Sequence, residues 1–123
     1  MKLILNMKFV TLNEYINAER SSKFAGARIK KQQTNSVHYL ALMQGFKLEH
    51  KLHDVIFTWY KPDNKIDNDN IAFAKKFCLD GLVSAKILES DGSKFINNFQ
   101  DIFILDRTRS YISCMIEFIE VKK

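Results

Sequence analysis

Segments rich in β-branched and aromatic residues alternate along the chain with segments that carry the signals of helices. Four segments are predicted to be strands on this basis: residues 2–10, 51–60, 94–105 and 110–121. Residues 69–84 are predicted to form a helix, because apolar residues recur there at helical spacing and make one continuous stripe. That stripe consists of Ile71, Ala74, Cys78 and Leu82.

The other predicted helix begins after the first strand. Thr11 is a suitable N-cap, and Glu14 stands three residues later, where a capping box requires an acidic side chain. The helix is predicted to run to about Gln44, where Gly45 ends it. Gly26 is expected to loosen it midway.

The length and composition indicate one folded domain. A chain of 123 residues with 46% hydrophobic residues can bury a core, and no repeat, linker or low-complexity tract divides residues 1–123. The element order is β-α-β-α-β-β, and residues 106–109 are predicted to be the hairpin turn that joins the last two strands. We therefore expect an α+β fold, a two-layer sandwich in which two helices cover a mixed β-sheet.

Positive charges are concentrated in the first predicted helix. The chain has a net charge of +5, which favours an anionic partner, and residues 20–47 contain no Asp or Glu. Such a run is commonly a solvated helix face, but the absence of acids favours contact with phosphates. The candidate DNA-binding residues are Arg20, Lys23, Arg28, Lys30 and Lys31.

Cysteine usage and hydropathy favour a reducing cytoplasm. Cys78 and Cys114 lie in apolar patterns without a CxxC pair or a His/Cys cluster, so both are predicted to be buried free thiols. Residues 1–6 are too short and too soon polar for a signal peptide. No apolar run approaches the roughly 20 residues that span a membrane.

Acidic residues around the second predicted helix form the candidate catalytic site. Asp67 and Asp69 lie near its start, Asp91 follows it, and Lys76 and Asp80 share one of its sides. Mg²⁺ prefers carboxylate oxygens, and a protein supplies only a few of them while water and phosphate complete the coordination. A lysine beside such a site suits the charge that builds on a phosphate during cleavage. The pattern therefore predicts a metal-dependent enzyme that acts on phosphodiesters.

Each of these residues also has an ordinary structural interpretation. Asp69 is a suitable N-cap, Asp67 suits a loop and Asp91 suits a turn. Lys76 and Asp80 would then form a solvated ion pair of small energetic value. The coincidence of all these residues around one short helix favours the catalytic interpretation.

The same residues resemble the RusA-type Holliday-junction resolvases, a family of small phage and prophage endonucleases. The motif segments are Asp-Asn-Asp-Asn at 67–70, Lys-Phe-Cys-Leu-Asp-Gly-Leu at 76–82 and Glu-Ser-Asp-Gly at 89–92. Residues 12–17 are similar to the family's Asn-containing N-terminal segment. The chain departs from the family twice: the step from Asn70 to Lys76 is longer, and only the second acid of the later pair is present, as Asp91.

The resemblance implies roles for individual residues. The catalytic acids that bind Mg²⁺, or Mn²⁺ in its place, would be Asp67, Asp69 and Asp91, supported by Asp80 and Asn70. Lys75 competes with Lys76 for the role of catalytic lysine, and Lys76 is preferred because it keeps the four-residue step to Asp80.

The resemblance also implies a RusA-like fold and a homodimer whose two sites cut symmetry-related strands of a four-way DNA junction in a bacterial cell. The function we expect is therefore a Mg²⁺-dependent structure-specific endodeoxyribonuclease that resolves Holliday junctions or other branched DNA. Two alternatives stay open. One is a non-catalytic nucleic-acid-binding protein of the same fold, and the other is a metal-dependent nuclease that acts on flap DNA or RNA.

Overall fold

The first helix begins at the cap that the sequence predicts. In the computed structural model, which describes residues 1–122, the backbone N–H of Glu14 donates to Oγ1 of Thr11 at 3.3 Å. In return, Oε1 of Glu14 accepts from the backbone N–H of Thr11 at 3.1 Å. This reciprocal capping box satisfies two backbone donors and begins α1 (Leu12–Ser21).

The single helix predicted for residues 11–44 is wrong, because the chain turns at Ser22 and starts a new helix. Ser22 has an extended backbone, ends α1 and caps the first turn of α2 (Lys23–Met43) with its hydroxyl. Gly26 lies inside α2, where its missing side chain makes room for α1. A Cβ at Gly26 would lie only 2.5 Å from Cγ of Glu19. The predicted end of the helix is confirmed, since Gly45 follows it with a φ of +62°.

The helix predicted for residues 69–84 is also divided. It consists of α3 (Asn68–Ala72) and α4 (Lys75–Ser84), with Phe73 and Ala74 between them. The backbone N–H of Ala74 bonds to the carbonyl of Ile71 at 3.1 Å, three residues back, so the chain turns there more tightly than in an α-helix. The apolar stripe of the sequence is buried in both helices, which is why its spacing did not indicate the break.

Four strands form one mixed sheet: β1 (Lys2–Leu5), β2 (His53–Lys61), β3 (Ile96–Leu105) and β4 (Ser113–Glu120). Their order in the sheet is β1-β4-β2-β3. β4 is antiparallel to β1 and β2, whereas β3 is parallel to β2. The predicted α+β class with a mixed sheet is therefore confirmed. The first strand is shorter than predicted, although Phe9 beyond its end is still buried.

The predicted hairpin of the last two strands is wrong, because β3 and β4 lie on opposite sides of β2. The crossover through α3 and α4 makes β3 parallel to β2. Residues 106–109 still form a turn, in which Nε of Arg109 donates to Oδ2 of Asp106 at 3.0 Å. The backbone N–H of Asp106 bonds to the carbonyl of Lys61 at 2.8 Å, so this turn leads the chain past the end of β2.

The core lies between one face of the sheet and the helices α2 and α4. Phe57 and Trp59 on β2 are fully buried and stacked, with ring centroids 5.8 Å apart. Other buried members are Leu3, Leu5, Val55, Ile116 and Phe118 from the strands, and Val37, Ala41, Cys78 and Leu82 from the helices. Cys78 and Cys114 are buried free thiols, as predicted, and burial raises the pKa of the Cys114 thiol.

The helices α2 and α4 approach each other closely because Gly81 has no side chain. A Cβ at Gly81 would lie 2.6 Å from Cβ of Val37 and 2.9 Å from the carbonyl oxygen of Thr34. This contact fixes the position of Lys76 and Asp80 on α4 relative to the basic helix α2. Within residues 1–122, every helix is too short or too polar to cross a lipid bilayer.

Candidate active site

Lys76 brings two carboxylates together at the surface of α4. Its Nζ donates to Oδ2 of Asp91 at 2.9 Å and lies 3.1 Å from Oδ1 of Asp80. The four-residue step along α4 places Asp80 beside Lys76, while Asp91 reaches the same ammonium from the connection that follows the helix. The structure therefore assembles Lys76, Asp80 and Asp91 from the predicted site.

The proton equilibria of this cluster follow from the two contacts of the ammonium. The hydrogen bond from Lys76 lowers the pKa of the Asp91 carboxyl below its ordinary value. The hydrogen bonds to Asp91 and then to Asp80 raise the pKa of Lys76. At neutral pH Lys76 is therefore protonated and Asp91 is ionised, and the side chain of Lys76 is 57% exposed to solvent. An ammonium in this state can donate to a phosphate oxygen.

Asp67 and Asp69 lie at the start of α3 and are exposed. Asp67 occupies the N-cap position without a side-chain bond to the helix. Asp69 has only a local contact, in which its Oδ1 accepts from the backbone N–H of Asn70 at 3.0 Å. The amide oxygen of Asn70 accepts from the backbone N–H of Asn13 at 2.9 Å. Asn70 thus ties α3 to α1, and both carboxylates keep free oxygens.

The acids predicted to bind metal are not gathered into one group in this structure. No hydrogen bond or salt bridge among residues 1–122 joins Asp67 or Asp69 to Lys76, Asp80 or Asp91. No three His, Cys, Asp or Glu residues of that part of the chain are arranged to hold a metal ion. The physical reason is the turn between α3 and α4, which removes the continuous helical face on which Asp69 and Lys76 were expected to align.

The carboxylates of Asp80 and Asp91 converge on a point that the ammonium of Lys76 occupies, so the cation between them is the lysine itself. Asp67 and Asp69 offer further carboxylate oxygens at the surface. Mg²⁺ is commonly held by one or two carboxylates together with water and substrate phosphate, so it does not require a protein cage of three acids.

The neighbouring Lys75 points away from this cluster. Its Nζ donates to Oδ2 of Asp101 on β3 at 2.6 Å, and each side chain is less than a quarter exposed. It also lies 5.5 Å from the ring centroid of Phe57 and 5.3 Å from that of Phe99. Oδ1 of Asp101 accepts from the indole N–H of Trp59 at 2.9 Å. Lys75 is thus part of the contact between α4 and the sheet.

Asp101 is the polar residue of this region that sequence reasoning missed. It lies on the strand β3 and faces the same side of the sheet as the buried Phe57, with which it pairs in the parallel register. The available signal was a lone acid within the otherwise apolar run of residues 101–105. An acid in such a position needs a buried partner.

The basic residues of the first helical region are exposed, which leaves them free to meet an anion. Arg20, at the end of α1, and the others, on α2, have no salt bridge within residues 1–122. These residues are Arg20, Lys23, Arg28, Lys30 and Lys31. Lys30 and Lys31 line a groove whose opposite wall includes Asp80. The basic surface of α2 therefore adjoins the cluster around Lys76.

A second concave feature lies beside α3. It is a cavity of about 150 Å³ with an apolar floor that includes Phe9, Ile66 and Ile71, and with Lys8 and Lys61 among its polar residues. It adjoins the segment that carries Asp67 and Asp69, but no predicted site residue lines it.

Comparison of the chain with protein-family models and with curated proteins gives no match.

Proposed function

We propose that the protein is a Mg²⁺-dependent endonuclease of the RusA type that cuts four-way junctions or other branched DNA. The observation that carries this proposal is the position of Lys76, whose ammonium lies between Asp80 and Asp91 beside an exposed basic helix. A lysine ammonium beside carboxylates and an exposed basic helix suits phosphodiester cleavage, in which negative charge develops on the phosphate. The motif segments at 67–70, 76–82 and 89–92 support the RusA-like fold.

The residues of the proposed site would have separate roles. Asp91, together with Asp67 and Asp69, would hold Mg²⁺, which when bound supplies charge neutralisation at the scissile phosphate and a more acidic water. Lys76 would donate to an oxygen of that phosphate as negative charge develops. Asp80 would keep the ammonium of Lys76 in place, since it lies 3.1 Å away on the same helix.

DNA would be held through its backbone. Phosphate contacts from the exposed basic residues of α1 and α2 position a duplex arm without reading its sequence. Branched DNA would then be selected by the geometry of a homodimer, because a four-way junction has near two-fold symmetry and each chain has one set of acids. A bacterial cytoplasm and a phage or prophage origin belong to the same proposal.

One observation favours a second candidate, a nucleic-acid-binding protein without catalysis. The carboxylates of Asp67 and Asp69 are not joined to Asp91 in the described part of the chain, and the hydrogen bond between Lys76 and Asp91 is sufficient to explain both residues structurally. Under this candidate, the basic surface of α2 binds DNA and the acids stabilise the fold.

Cleavage assays distinguish the two candidates. The purified protein is incubated with a labelled four-way junction and with matched flap, duplex and RNA substrates, in Mg²⁺, in Mn²⁺ and in EDTA. Asp91→Asn is compared with Glu89→Gln, a control that removes a neighbouring exposed acid. We expect metal-dependent cutting of the junction that is lost in Asp91→Asn and kept in Glu89→Gln. Tight binding of every substrate without any cutting would support the non-catalytic candidate and overturn the proposal.

A further inference from the structure

The strand β3 has one unpaired edge. It pairs with β2 on one side, and within residues 1–122 no strand or loop forms backbone hydrogen bonds with its other side. Its exposed apolar side chains are Phe99, Ile102, Ile104 and Leu105. A row of free N–H and C=O groups flanked by apolar side chains is a template on which another strand can pair.

The opposite edge of the sheet, formed by β1, is protected. β1 has only four residues and includes the charged Lys2. The side-chain amide of Gln44 covers it: Oε1 accepts from the backbone N–H of Ile4 at 3.1 Å, and Nε2 donates to the carbonyl of Ile4 at 2.6 Å. β3 has ten residues and contains neither lysine nor proline. Short strands, charges and covering groups are how proteins prevent edge pairing, so their absence on β3 indicates that a partner strand pairs there.

The charge of this edge favours a second copy of the chain as the partner. Asp101 is the only charged residue in the segment 95–105, and Lys75 of the same chain already pairs with it at 2.6 Å. Two copies of a chain with a net charge of +5 repel each other, and the edge of β3 is a neutral strip along which they can meet. A partner selected by its charge would find no complementary charge on this strip.

A symmetric pairing also brings the exposed apolar residues together. Two identical edge strands related by a two-fold axis normal to the sheet run antiparallel, and side chains that lie opposite each other point to the same face. Phe99 and Leu105 share the helix-covered face with Asp101, whereas Ile102 lies on the other face. An axis at Ile102 places Ile102 opposite itself and Phe99 opposite Leu105. Each of these three side chains is more than a third exposed in the single chain.

We propose that β3 pairs antiparallel with β3 of a second copy of this chain, centred on Ile102, so that two four-stranded sheets become one continuous sheet. Because the two-fold axis is normal to this sheet, the helices of both copies lie on the same side of it. The two clusters of Lys76, Asp80 and Asp91 therefore lie on that side as well. The action of both clusters on one junction rests on the proposed function, whereas the interface itself rests on the exposed edge of β3.

The first test uses the position of residue 102 at the axis. Ile102→Lys would place two ammonium groups opposite each other, and Ile4→Lys is a matched control, because Ile4 is an exposed isoleucine on the other edge strand. Sedimentation velocity over a range of protein concentrations gives the dissociation constant of the dimer, and urea unfolding verifies that each variant is folded. We expect Ile102→Lys to weaken the dimer about 100-fold or more, and Ile4→Lys to change the constant less than about 2-fold.

The second test identifies the partner as another copy of the chain. An equimolar mixture of Ile102→Lys and Ile102→Glu should form the dimer again, because opposite charges then meet across the axis. Ile102→Cys should give a disulfide-linked dimer on mild oxidation, since directly opposed residues of antiparallel strands lie within the Cα separation that a disulfide bridges. Ile4→Cys should give none. The native Cys78 and Cys114 are buried and do not compete.

The outcomes separate this inference from the proposed function. A monomeric wild type, as expected if β3 pairs with a strand of a different protein, would overturn the inference, and so would a mixture of the two charged variants that stays monomeric. A dimer that cuts junctions and that Ile102→Lys leaves intact would overturn the interface alone. A dimer that depends on residue 102 but neither binds nor cuts DNA would support the interface while the proposed function fails.

Discussion

Replacing Lys75 and Lys76 separately should separate stability from catalysis, although the two residues are neighbours in the chain. Lys75 lies between the helix and the sheet, paired with Asp101 at 2.6 Å and placed over two phenylalanine rings. Lys76 faces solvent, paired with Asp80 and Asp91. Lys75→Ala should therefore destabilise the fold, and Lys76→Ala should impair the chemical step of cleavage.

The magnitudes follow from burial. Removing one partner of a fully buried ion pair costs about 3–5 kcal/mol, whereas an exposed pair is worth about 0.2–1 kcal/mol. The side chains of Lys75 and Asp101 are 22% and 23% exposed, which places their pair between these limits. With the lost ring contacts, we expect Lys75→Ala to lower the free energy of unfolding by about 2–3 kcal/mol, or the melting temperature by about 8–12 °C. For Lys76→Ala we expect less than about 1 kcal/mol.

For the cleavage rate, the order of the two variants should be reversed: Lys76→Ala should have the larger effect. Loss of a group that stabilises developing charge commonly lowers the rate of the chemical step by about 100-fold or more. Single-turnover cleavage of a four-way junction, at a temperature where both variants are folded, measures this step. Lys76→Ala should be slow with unchanged junction affinity, and Lys75→Ala should cut at nearly the wild-type rate.

A double-mutant cycle provides the control for the stability argument. Asp101→Asn removes the charge that Lys75→Ala leaves unpaired, so the double variant should be more stable than the sum of the single effects predicts. Additive effects, or a Lys75→Ala variant as stable as the wild type, would refute the assigned ion pair. A folded Lys75→Ala variant that fails to cut, beside an active Lys76→Ala variant, would refute the assignment of the catalytic lysine.

Four further predictions concern the acids, the Lys76 pair, the oligomeric state and the basic surface. Asp69→Asn should abolish cutting while junction binding in gel-shift assays stays equal or strengthens, and near wild-type cleavage in Mg²⁺ would remove Asp69 from the catalytic set. Because the pKa of Asp91 is lowered and that of Lys76 is raised, the stability that the pair contributes should be present near neutral pH. This stability should be lost as the pH falls through the lowered pKa of Asp91 or rises through the raised pKa of Lys76. The free energies of unfolding of wild type and Lys76→Ala, measured in urea, should therefore converge at low and at high pH. The protein should sediment as a homodimer, and Lys31→Ala should reduce the salt slope of junction binding by roughly 1; a monomer, or an affinity indifferent to salt, would contradict the proposed function.

The sequence predicts local chemistry better than the arrangement of the elements. The capping box of Thr11 and Glu14 and the helix end at Gly45 are confirmed, because these signals depend on residues within one turn. The predicted pairing of β3 with β4 was wrong, because the sequence of an apolar strand does not specify which strand it pairs with in the sheet. The sequence did not indicate that one helix ends and another begins at Ser22. A serine inside a polar helix and a serine that caps a new helix cannot be distinguished by sequence alone.

In the candidate site, too, contacts that depend on local sequence were predicted, whereas one that depends on the path of the chain was not. The pairing of Lys76 with Asp80 follows from a four-residue helical step, and the structure contains it. The contact with Asp91 depends on the short connection after α4, and the structure contains this contact too. The expected alignment of Asp69 with Lys76 required one helix through residues 69–84, and the tight turn at Ala74 removes it. This turn leaves the spacing of the apolar residues unchanged, so hydrophobic periodicity could not have indicated it.

The division between α3 and α4 bears directly on how a metal could be held. Asp67 is the N-cap of α3 and Asp69 lies within this helix, which Asn70 ties to α1, whereas Asp91 is tied to α4 through Lys76. The proposed ligands thus belong to two differently anchored parts of the chain. Mg²⁺ takes part of its coordination from substrate phosphate, so a DNA strand in the groove beside Lys76 would supply the group that connects them. On this argument the metal site is completed by the substrate, and metal affinity should rise when junction DNA is bound.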